Sequence, residues 1–185
     1  TIADKNEVGW FYCSKNATEV DRYVIFNYLE NVWFYGSLTR TAWLDASTEN
    51  YPRAVSDGYV YQHELGFNDD GSPMTNVFIE SSDFDLGDGE FSFLQKIIPD
   101  FKFLQNDNSG NVNIVVKTRN FPGDSLTVDS TSPIAANTQQ AFVRSRARQI
   151  VLRFESDDDA TADGNLSIGW RLGATRIDIK PDGRR

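Results

Sequence analysis

The sequence predicts an all-β protein, and three observations carry that expectation. Apolar and polar residues alternate at period two, the spacing that sends successive side chains to opposite faces of a strand. The alternating stretches are rich in Val, Ile, Phe, Tyr and Trp, which suit a pleated, half-buried surface. Between them, at intervals of about ten residues, stand clusters of Asn, Asp, Gly and Ser that favour turns, because they accept positive φ or bond their own backbone. Amphipathic helical spacing is scarce.

In chain order, strands are expected at 8–13, 21–28, 32–35, 59–63, 76–80, 91–98 and 112–118. The separators are Ser-Lys-Asn-Ala-Thr at 14–18, Leu-Glu-Asn at 29–31, Asn-Asp-Asp-Gly at 68–71, Gly-Asp-Gly at 87–89, Asn-Ser-Gly at 108–110 and Ala-Asp-Gly-Asn at 162–165. The alternation is clearest toward the C-terminus. Ile150, Leu152 and Phe154 share one face opposite Gln149, Val151, Arg153 and Glu155. Leu166, Ile168, Trp170 and Leu172 do the same opposite Ser167, Gly169 and Arg171, and Ile177 and Ile179 lie between Arg176, Asp178 and Lys180. Each reads as a strand with one face on a core.

Residues 1–66 read as tight aromatic hairpins resembling propeller blades (Trp10, Tyr12; Tyr23, Ile25; Trp33, Tyr35). A whole propeller needs at least about four blades, so this stretch supplies one or two of them. Residues 67–75 are polar with Gly71 and Pro73 and read as a linker. Residues 76–185 carry longer strands and read as an antiparallel β-sandwich or barrel-like platform.

Composition narrows the function classes. The 185 residues are 39% hydrophobic and 13% aromatic, enough to build a core. No apolar run reaches the roughly 20 residues of a membrane helix, so no membrane role is expected. A net charge of −9 argues against a general nucleic-acid binder, which presents a basic face to phosphates. The charge is uneven, because residues 144–185 carry +2 and residues 1–143 carry −11. Different neighbours for the two parts would explain that asymmetry, as would chance drift of surface charge. Cys13 is the only cysteine, which suits a reducing compartment. The chain opens at Thr1 with no signal-peptide pattern.

Candidate chemistry is sparse. His63, the single histidine, is followed by Glu64, but Phe67 occupies the position where a zinc-protease helix carries its second His. No Gly-x-Ser-x-Gly elbow presents a serine nucleophile. Asp83, Asp85 and Asp88 invite a calcium reading, as does the run Asp157–Asp163. The calcium-loop ligand positions hold Gly87 and Leu94 in the first, and Ile168 closes the second, so acidic turns are the simpler reading. No cofactor or metal site is therefore expected. A pair of carboxylates could serve a glycosidase, yet none of the 27 acids is singled out. Exposed Trp or Tyr would suit a carbohydrate-binding module, whereas the alternating patterns put most of Trp10, Trp33, Trp43 and Trp170 in the core. The sequons at Asn16 and Asn165 are at chance level. Arg144, Arg146 and Arg148 alternate, which puts three guanidinium groups on one face if the segment is a strand. Their counter-charges are either acidic surface on a neighbouring subunit or Glu155 and Asp178 of the same chain.

The segment Glu-Asn-Val-Trp-Phe-Tyr-Gly-Ser-Leu-Thr-Arg-Thr-Ala-Trp at 30–43 resembles podovirus tail nozzle proteins, the packaged-DNA-stabilising tail hubs. So do Asp57-Gly58-Tyr59-Val60-Tyr61-Gln62-His63-Glu64, Ile79-Glu80-Ser81, Asp88-Gly89-Glu90 and Ile98-Pro99-Asp100-Phe101. Trp170-Arg171-Leu172-Gly173 and Pro181-Asp182-Gly183-Arg184-Arg185 resemble the C-terminal ending of that family. The likeness spans most of residues 8–185 and covers what looks like the last part of longer proteins. It implies a propeller-type body followed by a β-rich platform. It implies also a homo-oligomeric, six-membered ring below the portal, contacting other tail and portal-adaptor proteins and passing DNA without sequence-specific contacts. Assembly in the host cytoplasm, a virion location and no enzymatic activity follow from the same likeness. Arg144, Arg146, Arg148, Arg184 and Arg185 are the expected subunit-interface residues. The rival expectations are a glycan-binding module and a carboxylate glycosidase acting on host polysaccharide.

Overall fold

The computed structural model describes residues 5–46, 50–69, 72–74, 77–87, 89–104, 112–157 and 169–183. These residues form strands arranged in several antiparallel sheets, none closed into a barrel, with no helical element among them. The chain divides into two compact units, Thr1–Gly66 and Phe67–Arg185.

The first unit holds β1 (Glu7–Tyr12), β2 (Arg22–Asn27) and β3 (Val32–Ser37), an antiparallel meander in that order. A second meander follows, of β4 (Ala42–Leu44), β5 (Arg53–Ser56) and β6 (Tyr59–Gln62). The turns explain these boundaries. The Asp21 carboxylate accepts 2.7 Å bonds from the Ser14 backbone N–H and hydroxyl, closing the loop between β1 and β2. Asn27 Oδ1 accepts from the N–H groups of Leu29 and Glu30 at 3.1 and 3.0 Å, which starts the turn into β3. Asp57 and Gly58 join β5 to β6 with φ of 51° and 80°, the two positive angles that a tight hairpin loop requires. Strands β4 and β5 lay outside the sequence expectation because, at three and four residues, they are too short to show an alternating pattern.

The second unit begins with the two-residue strands β7 (Asn68–Asp69) and β8 (Ser72–Pro73). The longer strands follow: β9 (Phe78–Glu80), β10 (Ser92–Ile98), β11 (Phe101–Phe103), β12 (Val112–Arg119) and β13 (Thr127–Ile134). The last four are β14 (Ala141–Ala147), β15 (Gln149–Ser156), β16 (Trp170–Leu172) and β17 (Arg176–Pro181). They pair as β13-β12-β15-β9, as β14-β10-β17 and as β11-β16. The core is shared by the two larger sheets. Val112, Ile114, Val116, Ile150, Leu152 and Phe154 come from one of them, and Leu94, Ile97, Val143 and Ala147 come from the other. Fully burying each large aliphatic side chain stabilises the unit by about 1.5–3 kcal/mol. Phe101, Phe103 and Trp170 of the small sheet pack against the same cluster.

Strand β13 was not expected, because Thr-Val-Asp-Ser-Thr-Ser-Pro-Ile lacks a strong apolar face. It is an edge strand, where a proline is tolerated and few side chains reach a core. The stretch 166–168, the Asp158–Asp163 part of the second acidic run, Asn165, Asp88, Arg184 and Arg185 lie outside the described residues.

Candidate functional site

The residues that stand out in the first unit lie on one face of the β1-β2-β3 meander. Register places Val8, Phe26 and Trp33 side by side across the three strands, then Trp10, Val24 and Tyr35, then Tyr12, Arg22 and Ser37. Trp10 is 48% exposed, Trp33 59% and Tyr35 83%. Trp10 and Trp33 therefore correct the expectation that most of the four tryptophans are core residues. The reason is visible in the alternation: both faces of this meander are apolar. Phe11, Tyr23 and Ile25 lie on the other face, and the Phe11 ring meets Trp43 of β4 at 5.5 Å between centroids. Trp33 stacks on Phe26 at 4.5 Å, and Trp10 lies 5.9 Å from Trp33 at 23°. The exposed face is thus an ordered layer of aromatic rings with Arg22 at one end.

His63 lies just past β6. The Arg40 Nε–H donates to its Nε2 at 3.0 Å, and its ring lies 4.8 Å from Trp43. The Arg40 guanidinium in turn sits 4.5 Å over the Tyr61 ring. An imidazole that accepts from an arginine in this way is held by packing, with the lone pair a general base would use already engaged.

In the second unit the alternating arginines divide. Strand β14 alternates strictly between buried Ala141, Val143, Ser145 and Ala147 and exposed Phe142, Arg144 and Arg146. Arg144 and Arg146 therefore share a face, as the alternation expects. Arg148 does not lie in the strand. It occupies the corner where the chain leaves β14, paired with β10, for β15, paired with β12. Its guanidinium sits 5.1 Å from the rings of both Phe91 and Phe121, and its buried Nε has no hydrogen-bond partner among the described residues. Arg146 lies 4.1 Å over Phe91 and donates to the Asp182 carboxylate. Glu155 is bonded instead to Arg153 at 2.5 Å, and Asp178 lies 4.0 Å from Lys180, so neither answers the β14 arginines.

Arg144 has φ of 55°. Leu94 pairs with Ser145 and Lys96 with Phe142, so Gln95 alone faces both Val143 and Arg144. That is a β-bulge with Arg144 in the left-handed conformation, a place usually taken by glycine.

The sheet β13-β12-β15-β9 treats its charges differently. Glu80 accepts from Lys117 at 2.5 Å and lies 3.5 Å from Arg153, while Asp83 accepts from Arg119. The Lys117 hydrogen bond is the main cause that holds the Glu80 carboxyl below its ordinary range, and the Arg119 bond does the same for Asp83. Arg153 also lies 3.6 Å over Phe78. Asp85 accepts from the Gly87 N–H at 3.0 Å, as an acidic turn does. Among the described residues no three His, Cys, Asp or Glu side chains are grouped to hold a metal ion.

Neither a protein-family model nor a curated protein matches this chain.

Proposed function

We propose that the chain is a structural subunit of a phage tail, part of a nozzle or hub ring below the portal that retains packaged DNA and forms its exit channel. It acts by shape and assembly, without catalysis. The first unit supplies blade-like meanders of a propeller, and the second a sandwich platform. Besides the resemblance over residues 8–185, the observation that carries this reading is the aromatic face of Trp10, Trp33 and Tyr35. Interface cores are enriched in Trp, Tyr, Phe and Arg and poor in Lys and acids, and this face has that composition. A monomer leaves few such contiguous patches in water. In a ring, each subunit meets its neighbour through two different surfaces, so a face built for a partner is required on each side.

The test is native mass by light scattering, with electron microscopy of the purified protein and of virions that carry it. Closed rings, or density below the portal, are the expected outcome. A monomer of the chain mass at high concentration, with no tail density assigned to it, would sink the reading.

A second reading uses the same face. Flat exposed rings stack on sugar rings, so a glycan-binding module on a phage or bacterial surface is the alternative. Saturable binding of host polysaccharide that vanishes in Trp33→Ala, in a protein that forms no ring, would favour it.

A further inference from the structure

We infer that the outer face of the β14-β10-β17 sheet is the contact for acidic surface on a second copy of this chain. This rests on the assembly reading and assigns one of its two surfaces.

The two large sheets of the second unit differ in how fully their cations are paired. On the outer face of β13-β12-β15-β9, Lys117, Arg119 and Arg153 each meet a carboxylate of their own unit. On the outer face of β14-β10-β17, register gathers Lys96, Arg144, Arg146, Arg176 and Lys180, with the single acid Asp178 directly opposite Lys96. Arg146 meets Asp182, and Lys180 donates to Gln95 Oε1 at 3.3 Å and lies 4.0 Å from Asp178. Lys96, Arg144 and Arg176 make no ion pair with any described residue. Phe142 stands among them, directly opposite Lys96 and 60% exposed. An exposed aromatic on a face where cations outnumber acids is interface chemistry of the charged kind.

Arg144 sharpens the case. A left-handed bulge position costs an arginine stability that glycine would not lose. Nothing described within the chain compensates it through a contact with the guanidinium. Strain of this kind clusters at functional positions, and Arg144 is the positive-φ residue that lies within a strand.

The occupant follows from charge. The chain is acidic overall, with −11 in residues 1–143, so another copy offers the complementary surface at no extra component. A basic face meeting a different, acidic region of its neighbour is a heterologous contact, the kind that closes rings. Phosphate of a nucleic acid is the competing polyanion, and the test separates the two.

The experiment uses the full chain in three forms: unchanged, Lys96→Gln/Arg144→Gln, and Lys102→Gln/Arg171→Gln. The third makes the same charge change at two exposed cations of β11-β16, off this face. Association is read by light scattering at low salt and at about 1 M salt, where the screening length falls to ~3 Å. Circular dichroism confirms that each form is folded. Expected is association weakened by salt, weakened about tenfold or more in Lys96→Gln/Arg144→Gln, and unchanged in the control. Equal association of the two variants overturns the inference while leaving the assembly reading intact. A first variant that assembles normally yet loses affinity for short duplex DNA overturns it in favour of phosphate. An unchanged protein that stays monomeric in every condition removes the assembly reading itself.

Discussion

The indoles of Trp10 and Trp33, on the two outer strands of the first meander, approach to 5.9 Å across the central strand. Both remain about half exposed, at 48% and 59%. A tryptophan filling a closed core loses about 3–5 kcal/mol on truncation. Trp33→Ala should cost far less, about 1 kcal/mol, from the stacking with Phe26 and Trp10. Urea unfolding measures that loss; a cost above about 3 kcal/mol would mean the ring is a core residue after all. Association should weaken in the same variant.

Gly36 pairs with Tyr23 across β2 and β3, and the tyrosine ring covers it so closely that a Cβ would lie 2.5 Å from the hydroxyl oxygen. Gly36→Ala should destabilise the protein by about 1–3 kcal/mol by displacing that ring. Gly36→Ala/Tyr23→Leu should recover part of the loss in the same unfolding measurement, because the clash goes with the ring.

Arg144→Gly separates folding from assembly. Removing the left-handed strain should raise stability by about 1 kcal/mol, seen as a higher urea midpoint. Association should fall in the same protein. A drop in stability would show that the guanidinium serves the fold.

Ser92 and Ser145 are fully buried on β10 and β14, and neither hydroxyl has a hydrogen-bond partner among the described residues. A buried hydroxyl left unpaired costs about 1–3 kcal/mol, so Ser92→Ala should be neutral or stabilising. The thermal midpoint decides this; a clear fall would reveal a bond to a water or a neighbour.

Glu80 and Asp83 should govern the acid limb of stability. Their folded carboxyls titrate below the unfolded values, chiefly through hydrogen bonds from Lys117 and Arg119, with burial opposing. The unfolded chain therefore binds more protons in acid. The stability they contribute is complete above the unfolded values, about 4, and is lost as pH falls through the lower folded values. Urea midpoints measured from about pH 6 to about pH 2 should fall less steeply in Glu80→Gln than in the unchanged protein. Parallel curves would show that this network contributes nothing.

The sequence by itself determined the all-β class and the position of many strands, because alternation and turn chemistry act over a few residues. The fit is closest where one face is polar, as at 112–118, found as Val112–Arg119, and around Ile150, Leu152 and Phe154, found in Gln149–Ser156. It determined also that Arg144 and Arg146 share a face. Only the tertiary structure decided which apolar face of the first meander is covered, since Trp10 and Phe11 alternate between two faces that are equally apolar. Only the tertiary structure turned Arg148 out of the stripe, because the chain crosses between sheets after Ala147. Cation pairing was decided there too: Lys117 meets Glu80 and Arg119 meets Asp83 between segments far apart in the chain, while Lys96 and Arg144 make no ion pair among the described residues. Those outcomes depend on strand order and register, which bring together residues tens of positions apart, and local patterning carries no record of them.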